Sequence, residues 1–255
     1  MQMETIMRIK PIAKKILTAP IYYWIATIFR RIFQGYVPVG KANLGSFKRL
    51  TPISRYWGAD RGLPINRYYI ENFLTRYSSD IRGHVLEIGD AMYTLKFGGT
   101  RVIKSDVLHI KEGTPDATII ADLTNADHIS SNSFDCLIIT QTLHLIYDVP
   151  SALKTMHRIL KPGGVALVTI PGIDPIHDEE WSNSWYWTFT NVSAKRLFGE
   201  VFPPDNVRVE AWGNVLTATA FLQGLATEEL TKEQLDYVDP AYQVLVAVRA
   251  VKPKE

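Results

Sequence analysis

Between residues 85 and 170 short apolar runs return at intervals wide enough for one loop or one helix. Residues 85–88, 102–106, 118–120, 136–140 and 165–170 are each too short for a helix and are bounded by polar or glycine-containing stretches, so they predict buried strands. Between the last two, Leu153, Met156 and Leu160 share one face of a helix that Asp148 and Pro150 start and Lys161-Pro162-Gly163-Gly164 stops. Ahead of the first run, Tyr69, Ile70, Phe73, Leu74 and Tyr77 recur at three- and four-residue spacing and predict a helix ending near residues 78–80. This alternation of strand and helix predicts an α/β fold: a Rossmann-like, doubly wound, mostly parallel sheet with helices on both faces. After residue 190 the rhythm changes to a helix over 193–202, a strand over 207–212, an apolar small-residue stretch at 215–225, an acidic helix around 227–235 and a long alternating strand over 242–251. The last is expected to close the sheet antiparallel.

Composition divides the chain further. With 46% hydrophobic and 21% charged residues it can bury a core, and the single Cys136 excludes a disulfide scaffold or a cysteine-rich zinc site and suits a reducing cytoplasm. Residues 1–50 hold nine Lys or Arg against Glu4 alone, whereas the remainder is net acidic, which argues against nucleic acid as a partner of the main domain. Residues 1–40 read as a basic, aromatic arm, 41–64 as a connecting segment rich in turn signals, and 65–255 as the main domain. In the arm, the run Ile21 to Phe29 lies between Lys14-Lys15 and Arg30-Arg31 and falls far short of the roughly 20 residues that span a bilayer. It carries no signal-peptide cleavage pattern, so residues 8–33 are read either as a helix packed on the body or a second subunit, or as a peripheral membrane contact.

In an open parallel sheet, ligands bind beyond the carboxyl ends of the strands. There the sequence offers Gly89 after the first strand, where a ligand can approach the backbone, Asp106 at the expected end of the second, and Asp122 beside the apolar Leu123 after the third. An acid able to accept from two ribose hydroxyls and an apolar residue for a base describe a nucleoside site. The ordered series Val85-Leu86-Glu87-Ile88-Gly89, Asp106, Ala121-Asp122-Leu123, Phe134-Asp135-Cys136-Leu137-Ile138 and Leu160-Lys161-Pro162-Gly163-Gly164 resembles the class I methyltransferases that use S-adenosyl-L-methionine. That resemblance implies a seven-stranded sheet and a cofactor site made of Glu87, Gly89, Asp90, Asp106, Val107, Asp122, Leu123 and Thr140, with Glu87 organising the cofactor loop. The loop departs from the family in continuing Asp90-Ala91-Met92-Tyr93 rather than with further glycines, and the interval to Asp106 is short for the usual helix. A dinucleotide suffers more from this departure, since a pyrophosphate needs a glycine-rich turn at a helix N-terminus.

Methyl transfer needs an aligned acceptor and, for a hydroxyl or amine, a place for its proton. His144, shortly after the fourth strand, is the candidate base, because an ordinary imidazole titrates near 6.5; a structural role is its alternative. His177, Trp181, Trp185 and Tyr186 follow the fifth strand and are candidates for the acceptor side, as a lid or as a packed corner. The six histidines show no metal-ligand spacing, and no metal is expected. The expectation is a cytoplasmic enzyme, free or peripheral at the membrane, that methylates oxygen or nitrogen of a small molecule or glycan precursor. Its rivals are a non-catalytic binding module of the same fold and a membrane-docked enzyme acting on a lipid-linked glycan.

Overall fold

The computed structural model describes Ile21 and residues 37–176 and 182–254. Most of the arm, together with His177 and Trp181, lies outside the described residues. The chain divides into two compact units, Met1–Leu50 and Thr51–Glu255. In the first, the described residues contain one 3-10 turn, Gly45–Phe47, whose Gly45 N–H is held by Asn43 Oδ1 at 3.0 Å.

The second unit is built on a seven-stranded sheet: β1 Gly83–Ile88, β2 Val102–His109, β3 Ile119–Ile120, β4 Phe134–Thr140, β5 Leu160–Pro171, β6 Val207–Trp212 and β7 Leu245–Val251. Its order is β3-β2-β1-β4-β5-β7-β6. The strands from β3 to β5 are parallel, while β7 runs antiparallel to both β5 and β6. The order turns back between β1 and β4, which is where ligands enter sheets of this kind.

Five α-helices accompany it among the described residues: α1 Ile65–Arg76, α2 Val149–Ile159, α3 Asn191–Gly199, α4 Val215–Leu222 and α5 Lys232–Asp236. Asp148 caps α2 by accepting from Ser151 N, with Pro150 in the first turn, and Leu153, Met156 and Ile159 are fully buried on its inner face. Thr190 and Ser193 cap α3 reciprocally. Both helices join one core with Leu86, Leu137, Ile139, Val168 and Val248, all from the same face of the sheet. The opposite face receives α1: Phe73 meets Trp212 of β6 at 6.1 Å between ring centroids, and Arg249 of β7 pairs with Asp80 at 2.7 Å just beyond the helix. The apolar stretch after residue 214 forms α4, because Asn214 accepts from Leu216 N and Thr217 N. The acidic segment is a 3-10 turn, Thr227–Glu229, followed by the short α5, which starts at the Thr231 cap.

Two features depart from the sequence expectation. No α-helix joins β1 to β2, β2 to β3 or β3 to β4, so the helices on the two faces come from elsewhere in the chain. The β1–β2 link is a single π turn, Thr94–Gly98, and a 3-10 turn, Gly99–Arg101. It is drawn so close that a Cβ on Gly98 would lie 2.4 Å from Val102 Cγ2. Secondly, β2 continues beyond Asp106 to His109, because Val107 and Leu108 pair with Glu87 and Ile88, and Leu108 and His109 also pair with β3.

Leu153→Ala removes a fully buried side chain from the face that α2 gives to the core. It is expected to destabilise the protein by about 2–5 kcal/mol, read as a lower urea midpoint with an unchanged slope.

Candidate functional site

The loop after β1 is organised by one buried carboxylate. Glu87, 1% exposed, accepts from Tyr93 N at 3.1 Å through Oε1 and from Thr94 N at 2.7 Å through Oε2. Burial raises its pKa, opposed by the hydrogen bonds from Thr94 and Tyr93. Those bonds fold the loop back over the strand. Gly89 starts it with φ +89°, in the left-handed region that favours glycine, and a Cβ there would meet nothing within 4 Å. The loop backbone is therefore open to a ligand. Asp90 is exposed beside it and uses Oδ1 to accept from Met92 N at 2.8 Å.

The second strand requires a correction. Asp106 does not stand at a strand end; it lies mid-strand, buried, with both oxygens engaged. Oδ2 is 2.6 Å from His84 Nε2 and 2.8 Å from Lys104 Nζ, and Oδ1 accepts from Thr118 Oγ1 at 2.9 Å. Burial would raise its pKa, but the bonds from Lys104, His84 and Thr118 outweigh that and hold it below the ordinary aspartate value. A carboxylate already occupied in this way cross-links the strands, and the ribose assignment gives way to a structural one. The end of β2 is His109, whose Nδ1 accepts from Lys111 N at 3.0 Å. Val107 is buried on the sheet face of Glu87, and its N–H donates to Thr118 Oγ1 at 2.9 Å. Asp122 is exposed after β3 and accepts from Thr124 N and Oγ1, whereas Leu123 beside it belongs to the core.

The ends of β4 and β5 bring together most of the remaining candidates. Thr140, half-buried, is in register with Thr169 of β5. Gln141 follows with φ +47°, an uncommon backbone for a residue with a side chain, held by its N–H donating to Thr169 O at 2.8 Å. His144 is 2% exposed and stacks at a tilt on Trp185, 4.3 Å between centroids, while its carbonyl accepts from Tyr186 N and Trp187 N. Trp187 and Tyr186 both reach Tyr147, forming an exposed aromatic wall. Gln141 Nε2, His144 Nδ1, Thr169 Oγ1 and Trp185 Nε1 are buried and have no partner in the protein. Buried polar atoms left in this state cost free energy unless a ligand or water satisfies them.

Burial drives the His144 pKa down to about 4, so the ordinary value near 6.5 that suited a base does not hold here. Sequence reasoning passed over Gln141 and Thr169, although Gln141 stands in the segment following the fourth strand. It also passed over Asp174, on the loop after β5, whose Oδ1 accepts from Trp57 Nε1 at 3.2 Å and whose pKa burial pushes up to about 8. Trp57 itself has φ +54°, a second strained position at this end of the sheet.

Residues 96–168 match the family described as "Methyltransferase domain". Over that stretch the chain is similar to methyltransferase domains, and its seven-stranded sheet is the one the sequence resemblance implies. Short stretches are 46% and 36% identical to the ubiquinone/menaquinone biosynthesis C-methyltransferase UbiE of Haemophilus ducreyi and of Pasteurella multocida. These cover 20% and 29% of this chain and only 22% and 26% of those proteins. Among solved structures, a phosphoethanolamine N-methyltransferase of Haemonchus contortus bound to S-adenosyl-L-methionine superposes with TM-score 0.52 and 14% identity over 85% of this chain and 61% of that one. A SAM-dependent methyltransferase of Archaeoglobus fulgidus does so with TM-score 0.50 and 13% identity over 73% and 94%. Both share the fold. S-adenosylmethionine is the cofactor such domains take, and the residues present fit it at the β1 loop, where Gly89 leaves an open backbone cradle that Glu87 holds in place.

Two expectations follow for this domain. Asp106→Asn should lower stability by about 1–3 kcal/mol, seen in chemical denaturation, while titration calorimetry with S-adenosylhomocysteine returns an affinity within about twofold of wild type. His144 has a folded pKa below its unfolded one, so its contribution to stability is full above pH 6.5 and is lost as pH falls toward 4. Replacing it by Gln should flatten the rise of melting temperature with pH across that window.

Proposed function

We propose that this protein is an S-adenosylmethionine-dependent methyltransferase acting on oxygen or nitrogen of a small molecule or glycan precursor. The observation that carries the reading is the group of unpartnered buried polar atoms at the ends of β4 and β5, backed by the aromatic wall of Tyr147, Tyr186 and Trp187. A polar acceptor group would satisfy those atoms, and the rings would cover its apolar surface. The cofactor, when bound, supplies an electrophilic methyl group on a sulfonium, displaced in line. Glu87 and Gly89 shape the loop that binds it, and Asp90, Asp122 and Thr140 border its path along the strand ends, while the buried Val107 and Leu123 support it from within the sheet and core.

His144, neutral at physiological pH, accepts the acceptor's O–H or N–H hydrogen bond at a ring nitrogen, and the proton that methylation displaces leaves to solvent. Trp185 fixes that ring by packing against it. A C-methyl acceptor, as in the names of the partial relatives, is the second reading, and the position of the transferred methyl separates the two. No helix among the described residues is long and apolar enough to cross a membrane.

The test is incubation of the full chain with methyl-labelled S-adenosylmethionine and an acceptor panel of phenols, amines, sugars and quinols, followed by mass spectrometry and NMR of the product. Labelled methyl on O or N is expected; label on carbon selects the second reading. Cofactor binding with no transfer to any acceptor class would favour a binding module. In the active enzyme, Trp185→Ala should raise the acceptor KM by about tenfold or more while S-adenosylhomocysteine affinity stays within about twofold.

A further inference from the structure

The segment that leads into α1 is fastened along its length to the stretch that follows α4. Ile53 N and Ser54 N both donate to Gln223 O, at 2.9 and 3.0 Å, and Leu63 O accepts from Thr227 N at 2.9 Å. Arg61 pairs with Glu229, and Pro64 forms a bridge with Ala226. A Cβ on Gly224 would lie 2.2 Å from Ser54 O, so the two stretches meet backbone to backbone. Residues 53–64 are thus a strap held at both ends. Its middle carries Trp57, whose φ of +54° is uncommon for a bulky residue. From that position the indole reaches the loop after β5, where Nε1 donates to Asp174 Oδ1 at 3.2 Å.

Asp174 stands just past the carboxyl end of β5, the end of the sheet where ligands bind. Its loop is fixed by Gly172 N donating to Val244 O at 3.1 Å and Ile173 N to Gln243 O at 2.8 Å. Among the described residues Asp174 makes no second hydrogen bond and no ion pair. Burial pushes its pKa up to about 8, so near neutral pH the protonated form dominates, and a protonated carboxyl has an O–H donor that a carboxylate lacks. Beside this pair lies a cavity of about 50 Å³, lined by Pro52 and Trp57 of the strap, Pro175 and Ile176 of the β5 loop, and Phe221 and Leu222 of α4. Ser54 and Arg55 complete the lining, and Ser54 Oγ already donates to Asp60. The exposed Ile176 and Leu222 open the cavity to solvent, and its size suits the end of a small molecule. We propose that the strap and the β5 loop form an acceptor subsite for a neutral apolar group bearing a hydroxyl, with Asp174 donating a hydrogen bond to the hydroxyl oxygen and Trp57 walling the apolar part. This rests on the methyl-transfer reading above and narrows its acceptor to one with an apolar end.

The probes are benzyl alcohol, which has the hydroxyl, and toluene, which lacks it, titrated into the full chain. Indole N–H signals in a proton–nitrogen correlation spectrum locate them, with Trp57 assigned through Trp57→Phe. Asp174→Leu removes the hydrogen bonding at similar size, whereas Asp174→Asn keeps a neutral donor and an acceptor for Trp57. Circular dichroism and melting temperature verify folding, and the wild-type spectrum alone decides the location should Asp174→Leu not fold. Benzyl alcohol is expected to shift the Trp57 signal. Its affinity should fall about fivefold or more in Asp174→Leu and stay within about twofold in Asp174→Asn, with toluene binding unchanged in both. In methyl-transfer assays benzyl alcohol should compete with the acceptor and not with S-adenosylmethionine. No shift at Trp57 overturns the proposal, as does an equal loss of both probes in Asp174→Leu, which would make Asp174 a prop of the cavity. A loss in Asp174→Asn as large as in Asp174→Leu, or inhibition that does not compete with the acceptor, overturns it too. Titration of the same chain with S-adenosylhomocysteine tests the methyl-donor reading separately: benzyl alcohol bound at Trp57 without any S-adenosylhomocysteine binding overturns that reading, and the acceptor role with it.

Discussion

A carboxylate with 1% exposure, satisfied by two backbone N–H groups, holds the ligand end of this molecule in shape. Glu87 belongs to β1, the strand between β2 and β4, and Tyr93 and Thr94 belong to the loop that leaves it. The link to β2 has no α-helix whose own hydrogen bonds could fix its path. The loop is therefore tied to the sheet through this side chain, and leaving either N–H or the carboxylate unmatched in the interior would cost more than an ordinary surface contact returns. Gly89 can stay open because Glu87 places the following turn.

The two ends of the site differ in charge for a reason of burial. At the ends of β4 and β5, His144 is driven down to about 4 and Asp174 up to about 8, so near neutral pH both favour their uncharged forms. Around the β1 loop, Asp90 and Arg67 are solvent-exposed and are not enclosed in this way. The backbone strain at Gln141 and Trp57 falls at the ligand end of the sheet, where unusual torsions are retained for function more often than elsewhere.

The sequence made the sheet legible because buried parallel strands appear as uninterrupted apolar runs, and the start of α2 because Asp148 and Pro150 mark it; the helix ends before Lys161-Pro162-Gly163-Gly164, since Leu160 already opens β5. Asp106 misled for the same reason. A charged residue closing an apolar run reads as a strand terminus, and its partners His84 and Thr118 are brought beside it only when the sheet forms. His144 was found by position, but its proton affinity depends on enclosure by Trp185 and the surrounding core, which no local pattern encodes.

Among the described residues, the shortness of β3 leaves the outer edge of β2 without a strand partner along much of its length. β3 pairs only with Leu108 and His109, so from Val102 to Asp106 no described strand lies on that side. Such an edge is a template for another chain, and Ile103, 89% exposed, makes it stickier. Lys104 stands in the middle of this stretch with its ammonium drawn to Asp106. A lysine on an open edge imposes a desolvation penalty on any strand that docks there. The contact that locks Asp106 in place thus also serves as a gatekeeper against intermolecular sheet growth, coupling the order of the sheet's interior to the solubility of its margin.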